Sequence, residues 1–408
     1  MNYKRKTLLI IGGSYAACEI ASHARKNGYG EDVIIVSEEP ELPYHRPPLS
    51  KTFIKSPSED GLSIKNAAFY SANKIDLELG TKVVGFGPGE RTALLSNGKS
   101  IAFDALALAV GARPRTLICA GADPTNVHYL RSIADARALS AATAKAENIV
   151  VIGAGFIGLE IASTLRAPQQ HVTVIETENR VLARAVSPEI SEFLGSVHIG
   201  HGIKLLTSRK VQSLVEENGT VRKVMLTDGT AICADVVIVG IGSVANLELP
   251  QALGLDIDNG VLVDPLSRTS RENIFAAGDC TRFRSKFNLE GARLESVQNA
   301  IDQSRAAGAA IAGQSKAYEA IPWFWSDQFD FKLQIVGIPV GATERILRPG
   351  ANSSLSVFHF RNDLCVCVES VNQPREHVGA RQLLNRKNIS MRDLEDVDFN
   401  ISALLKTS

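Results

Sequence analysis

The chain begins with a short apolar run, Leu8-Leu9-Ile10-Ile11, then a turn-like stretch of mostly small residues, Gly12-Gly13-Ser14-Tyr15-Ala16-Ala17, and later a second apolar run from Val33 to Val36. Apolar runs of this length bounded by turn residues read as buried strands, so this region predicts strand, tight turn, helix, strand. The same order returns at Ile149-Val150-Val151-Ile152, Gly153-Ala154-Gly155-Phe156-Ile157-Gly158, a helix through Leu165, and the strand Val172-Thr173-Val174-Ile175. Ala105 to Val110 and Val236 to Gly242 each predict a further buried strand that ends in glycine. From about Tyr318 the pattern changes to short strands, Leu333 to Val336, Ser356 to Phe360 and Leu364 to Val368, then a helix near Val378 to Asn385, with Asn372-Gln373-Pro374-Arg375 reading as a turn. That stretch predicts a separate α+β domain.

The two small-residue turns carry the first chemistry. Where a strand enters a helix against a dinucleotide, the backbone must turn sharply, approach the pyrophosphate and let the helix pack close on the strand. Gly153, Gly155 and Gly158 complete the GxGxxG spacing, and Glu176 stands 18 positions after the last glycine, where a carboxylate accepts hydrogen bonds from a ribose. Such a carboxylate binds the free 2′-hydroxyl of NADH and repels the 2′-phosphate of NADPH, which favours NADH; Arg180 and Arg184 downstream leave a phosphate-binding alternative open. The first turn keeps Gly12 but has Ser14 and Ala17 in place of the second and third glycines, with Glu38 after the second strand as its ribose candidate. By itself it also reads as a turn that binds nothing. Two such units in one chain point to two dinucleotides, one of them a tightly held, non-covalent FAD.

Size and composition narrow the class. A chain of 408 residues is long enough for two or three domains. Its 44 basic residues balance 44 acidic ones, so no basic field marks a nucleic-acid partner. Met1 to Arg5 lead directly into a strand rather than a signal-peptide core, and no apolar run reaches membrane-spanning length; both point to a cytoplasmic protein without a membrane partner. Cysteines at 18, 119, 233, 280, 365 and 367 form no CxxC pair and no zinc-spaced cluster, so no metal is expected. Cys365 and Cys367 fall on one face of a strand, as buried small side chains or as a redox pair.

Several motifs together resemble the FAD-dependent pyridine-nucleotide oxidoreductases, and within them the ferredoxin reductases that serve bacterial Rieske oxygenases and cytochrome P450 systems. They are Pro43-Tyr44-His45-Arg46-Pro47-Pro48-Leu49-Ser50-Lys51, Val110-Gly111-Ala112-Arg113-Pro114-Arg115, and the second fingerprint ending in Leu159-Glu160. Asn273-Ile274-Phe275-Ala276-Ala277-Gly278-Asp279-Cys280, Arg293 to Ala300 and Pro322-Trp323-Phe324-Trp325-Ser326-Asp327-Gln328 complete the set. The resemblance implies an α/β fold of two Rossmann-like three-layer domains, the NAD module inserted in the FAD module, plus the C-terminal α+β domain. The implied boundaries are 1–113 and 245–317 for FAD, 114–244 for NADH and 318–408 for the C-terminal domain.

The same resemblance implies roles. Lys51 matches the lysine beside the flavin and Glu160 its acidic partner, a pair that keeps an ammonium near N5 as hydride arrives. Asp279 matches the carboxylate on the ribityl chain, and Val297 starts a helix whose N–H groups would face the flavin pyrimidine. Gly12, Ser14, Ala16, Ala17, Arg46, Val83 and Arg131 fall at FAD-contact positions; Phe156, Ile157 and Gly242 join the NADH site. Trp323 and Trp325 read either as flavin shields or as core. Val110 stands where many relatives have threonine, and Ala245 where proline is common.

The implied activity is hydride transfer from NADH to FAD, then single-electron transfer to a small iron–sulfur ferredoxin feeding an oxygenase, by a monomer or weak dimer. An acidic ferredoxin would dock on basic residues, with Arg305 first among Arg282, Arg284, Lys286, Arg293, Arg305 and Lys332. Alternatives are a rubredoxin reductase, an NADH oxidase or peroxidase, and an NADH-sensing interaction protein similar to apoptosis-inducing factor.

Overall fold

A computed structural model describes residues 6–118, 124–386, 389–395 and 401. Cys119 and the Met1 to Arg5 lead lie outside them. The chain forms two compact units, one comprising Met1–His45, Glu59–Arg113 and Ala245–Phe324, the other Arg46–Ser58, Pro114–Val244 and Trp325–Ser408.

The first unit is built on a five-stranded parallel sheet in the order Ile274–Ala276, Ala105–Leu108, Thr7–Ile11, Asp32–Val36, Ile75–Glu78. Its central strand is apolar on both faces because both are covered. Leu8 and Ile10 face the helices Tyr15–Lys26 and Val297–Ile311, packing with Ile20, Ala24 and Ala307. Leu9 and Ile11 face the other way, towards Val83, Ala93 and Leu95 of an antiparallel layer, Val83–Phe86, Thr92–Leu95 and Ser100–Ala102. Each such side chain removed from water contributes about 1.5–3 kcal/mol. The two helices approach closely at Gly308, where a Cβ would come within 2.6 Å of the Ile20 carbonyl oxygen.

The second unit repeats the plan. Its parallel sheet runs Lys204–Leu206, His171–Ile175, Asn148–Ile152, Val236–Val239, Val127–His128. Val150, Ile152, Val237 and Val239 pack on Val221, Val224 and Leu226 of a second antiparallel layer, while the helix Phe156–Leu165 packs on the strands Asn148–Ile152 and His171–Ile175. The C-terminal sheet has the order Trp323–Gln328, Phe331–Gly337, Leu364–Val371, Ser354–Arg361, Glu344–Gly350, its last three pairings antiparallel. The α+β expectation for this part holds, with two strands more than the hydrophobic runs predict. One local reading fails: Pro374 and Arg375 begin the helix Pro374–Arg386 rather than continuing a turn. Asn372, at φ +54°, makes the reversal alone, and proline suits the first helical turn because its missing N–H has no intrahelical acceptor there. Among the described residues, no helix is long and apolar enough to cross a membrane.

Candidate functional site

The first unit brings three sequence-distant segments together. Gly12 has φ +127°, and a Cβ there would stand 2.1 Å from the Ala109 oxygen; at Gly13 it would stand 2.1 Å from Ser37 Oγ. Ser14 is extended, at φ −136°, so a side chain is tolerated, and Ala17 is fully buried. Gly278 lies between the two helices, its missing Cβ 3.3 Å from Ala16 Cβ and 3.8 Å from Ala300 Cβ, which brings Asp279 to the same place as the first turn. Gln303 holds this segment: its Oε1 accepts the Gly278 N–H at 2.8 Å and the Thr281 hydroxyl at 3.0 Å. Val297 is the first residue of its helix, capped by Ser296, whose hydroxyl accepts the Asn299 N–H. Neither this helix nor Tyr15–Lys26 has an acidic residue in its first turn, so the positive ends keep their potential for an anion. Glu38 is exposed, with Lys82 Nζ 3.3 Å away. Val83 is 4% exposed and packs with Leu9 and Val36, a core side chain.

The second turn closes on itself in a different way. Gly153 has φ +103°, and a Cβ there would meet the Gly240 oxygen at 2.4 Å; at Gly158 it would meet the Gly153 oxygen at 2.1 Å. Gly155 precedes the helix with extended backbone and only the Gly240 oxygen within 4.0 Å of a Cβ, so its place is open. Having no side chain, Gly155 cannot cap the helix, and the first-turn N–H groups are left for a ligand. Phe156 is half-buried and Ile157 is 49% exposed at the rim. Glu176 closes the turn: one carboxylate oxygen accepts the Ala154 N–H at 2.8 Å, and the other accepts the Glu178 N–H at 2.9 Å. Arg180 is committed to the carbonyls of Val186 and Ala183, whereas Arg184 is exposed near Gly242.

Also within the second unit, Lys51 and Glu160 meet. Pro47 and Pro48 preset a short 3-10 turn, Pro47–Ser50, that delivers Lys51. The following segment is fastened by Thr164 Oγ1 to the Ser50 carbonyl at 2.9 Å and by Ser140 Oγ to the Ile54 carbonyl at 2.6 Å. Lys51 Nζ then lies 2.8 Å from Glu160 Oε2, the side chains being 21% and 8% exposed. Arg46 donates to the Arg131 carbonyl at 2.6 Å, and Asp135 accepts the Arg131 N–H at 3.0 Å. Trp323 and Trp325 are half-buried on one face of the strand Trp323–Gln328. Removing one member of a buried ion pair costs about 3–5 kcal/mol, while an apolar replacement of both often costs nothing.

Among the described residues, Cys18, Cys233, Cys280, Cys365 and Cys367 are free thiols, with no disulfide between them. Burial pushes Cys280 and Cys365 up to about 12 and holds Cys367 well above the ordinary thiol range, which opposes the thiolate a redox pair requires. Of the basic residues expected at a docking face, Arg282 pairs with Asp258, Arg293 with Glu295, Lys332 with Asp327, and Arg305 with Glu19 at 3.0 Å and Asp302 at 3.1 Å.

Residues 6–304 match the pyridine nucleotide-disulphide oxidoreductase family, and residues 323–405 match the reductase C-terminal family. The chain belongs to the pyridine nucleotide-disulphide oxidoreductases. It is 39% identical to rhodocoxin reductase of Rhodococcus erythropolis over 97% of this chain and 93% of that one. The ferredoxin reductase for the CYP199A2 system of Rhodopseudomonas palustris superposes with a TM-score of 0.94 at 37% identity, covering 98% of this chain and 99% of that chain. The covalent putidaredoxin reductase–putidaredoxin complex gives 0.94 at 33% identity, with 98% of each chain covered. Membership makes the protein an oxidoreductase with FAD and NAD(H) as its cofactors, and both turns fit such groups: a tight glycine turn, an uncancelled helix N-terminus and a carboxylate after each second strand.

Sequence reasoning missed Gln303, which holds the Asp279 turn, and the hydroxyls that surround Glu160. Ser50 and Ser326 lie inside the motifs that carry the family resemblance, so the signal was present but unassigned.

Proposed function

We propose that this oxidoreductase is an NADH:ferredoxin reductase whose partner is a small iron–sulfur ferredoxin that feeds an oxygenase. The observation that carries the reading is the pair of tight strand-to-helix turns, each opening a helix with no acidic residue in its first turn, on one chain with the Lys51–Glu160 pair. FAD bound at the first turn would supply the chemistry that accepts a hydride from NADH and releases electrons singly. Gly153 to Gly158 cradle the NADH pyrophosphate, and Glu176, held by its own turn, receives the adenosine ribose hydroxyls. Gly12 to Ala17, Glu38, Asp279 and the start of the Val297 helix hold FAD. Lys51 brings a positive charge to the hydride-accepting centre; it has three N–H donors, of which Glu160 and the Pro47 carbonyl take two.

For the ferredoxin, Arg305 remains the first docking residue. Glu19 and Asp302 already offset its charge, so an acidic partner competes with them. Charge reversal, Arg305→Glu, is expected to lower ferredoxin reduction about tenfold at low salt while leaving dye reduction within twofold, the difference shrinking as salt rises. Equal effects on ferredoxin and dye would remove Arg305 from the docking face, and fast reduction of rubredoxin with none of ferredoxin would replace the partner.

A further inference from the structure

The Lys51–Glu160 pair is one end of a longer buried chain. Glu160 Oε2 accepts from Ser50 Oγ at 2.5 Å as well as from Lys51, and Oε1 accepts from Ser326 Oγ at 2.8 Å and from the Asp327 N–H at 3.4 Å. Behind it, Gln328 Nε2 donates to Ser326 Oγ at 3.2 Å, and Gln328 Oε1 lies 2.9 Å from His198 Nε2. Ser326, Gln328 and His198 are each 0% exposed.

The donors form a one-way series. Ser326 has a single hydroxyl proton; receiving a hydrogen bond from Gln328, it gives its own to Glu160. Gln328, with its amide nitrogen spent on Ser326, turns its carbonyl to His198, which must therefore carry its proton on Nε2. Burial pushes His198 down to about 4, so at neutral pH the ring holds one proton, and its buried Nδ1 has no partner. Every hydrogen bond in the series thus points towards the Glu160 carboxylate. Three fully buried polar side chains are a costly way to fill space that apolar ones would fill more favourably, unless their direction matters.

We propose that Ser326, backed by Gln328 and His198, is a positioning residue that orients Glu160 and through it sets the place of the Lys51 ammonium. The strand Trp323–Gln328 then has two faces with two duties, tryptophans on one and the carboxylate support on the other. The inference rests on the reading of Lys51 and Glu160 as the pair that serves hydride transfer.

The test is anaerobic rapid mixing of the FAD-loaded enzyme with NADH, for the natural protein, Ser326→Ala, Ser326→Thr, Glu160→Gln and the Ser326→Ala/Glu160→Gln double variant, with imidazole 15N spectra of the natural protein alongside. Ser326→Ala is expected to lower the limiting rate of flavin bleaching about tenfold, the size of one hydrogen bond to a charged group, with half-saturation by NADH within twofold. Ser326→Thr should recover most of the rate, Ser326→Ala should add nothing in the Glu160→Gln background, and His198 should carry its proton on Nε2. Should Ser326→Ala fail to fold, Gln328→Met is expected to give the same pattern at about threefold. The proposal is overturned if the two changes multiply, if Glu160→Gln slows bleaching and Ser326→Ala does not, or if His198 carries its proton on Nδ1. A silent Glu160→Gln instead overturns the reading of the pair, and the inference with it.

Discussion

The two strand-turn-helix units do the same job with different residues. In the first, Gly12 and Gly13 have no room for a Cβ, while the positions of the second and third fingerprint glycines hold Ser14 and Ala17. In the second, Gly153 and Gly158 have no room and Gly155 is open. The middle position is extended in both, at φ −136° for Ser14 and −78° for Gly155, so neither depends on glycine's conformational freedom. The difference lies at the third position: Ala17 fits in the packed core, whereas Gly158 lies directly against the Gly153 carbonyl and beside Gly240. A motif written as three glycines is therefore a set of clearances, and each turn enforces its own subset.

The largest expected effect comes from filling a clearance against backbone in the second turn. Gly158→Ala sets a Cβ 2.1 Å from a backbone oxygen, so the helix must shift; a destabilisation of about 1–3 kcal/mol and loss of NADH saturation are expected in thermal melts and steady-state kinetics. Gly155→Ala, at an open extended position, should stay within about 0.5 kcal/mol of the natural protein. If the two alanines behaved alike, the clearance account of the comparison would fail.

The acidic residues sharpen the same contrast at smaller size. Glu176 is anchored by the Ala154 and Glu178 N–H groups, whereas Glu38 is 68% exposed beside Lys82. Glu176→Gln should raise the KM for NADH about tenfold and cut the NADH over NADPH preference in kcat/KM at least as much, since it removes a charged acceptor and a repulsive charge together. Glu38→Gln should weaken FAD retention by only about twofold to threefold, read by flavin release on dilution. An unchanged cofactor preference in Glu176→Gln would mean that another group, Arg184 being nearest to Gly242, sets it.

Much of this was legible in the chain. The apolar runs at 8–11, 33–36, 149–152 and 172–175 became the expected strands because strands covered on both faces leave a continuous hydrophobic signature. The segments that meet at Gly278 were each recognisable as motifs. Their meeting was implied by the family resemblance alone and by no local pattern, because Ala16, Gly278 and Ala300 are joined only by packing. Which glycine is obligatory also escaped, since the clearance at Gly12 and Gly153 depends on carbonyls at 109 and 240, far from the motif, and that at Gly158 on how the turn folds back onto the Gly153 carbonyl. Ser326 lay inside a recognised motif, but its contact with Glu160 could not be read from it, because the two are 166 residues apart and a lone serine in a strand carries no periodicity. The C-terminal helix start at Pro374 shows a local ambiguity, as proline ends one element and begins another with equal ease.

The most direct test of the central claim is an anaerobic titration of the purified flavin-loaded protein with NADH and with NADPH, followed by a small two-iron ferredoxin. Bleaching of the flavin by one equivalent of NADH, a much higher requirement for NADPH, and rapid return of colour when ferredoxin is added are expected. A flavin that NADH leaves oxidised, or a long-lived reduced complex that no carrier discharges, would contradict it.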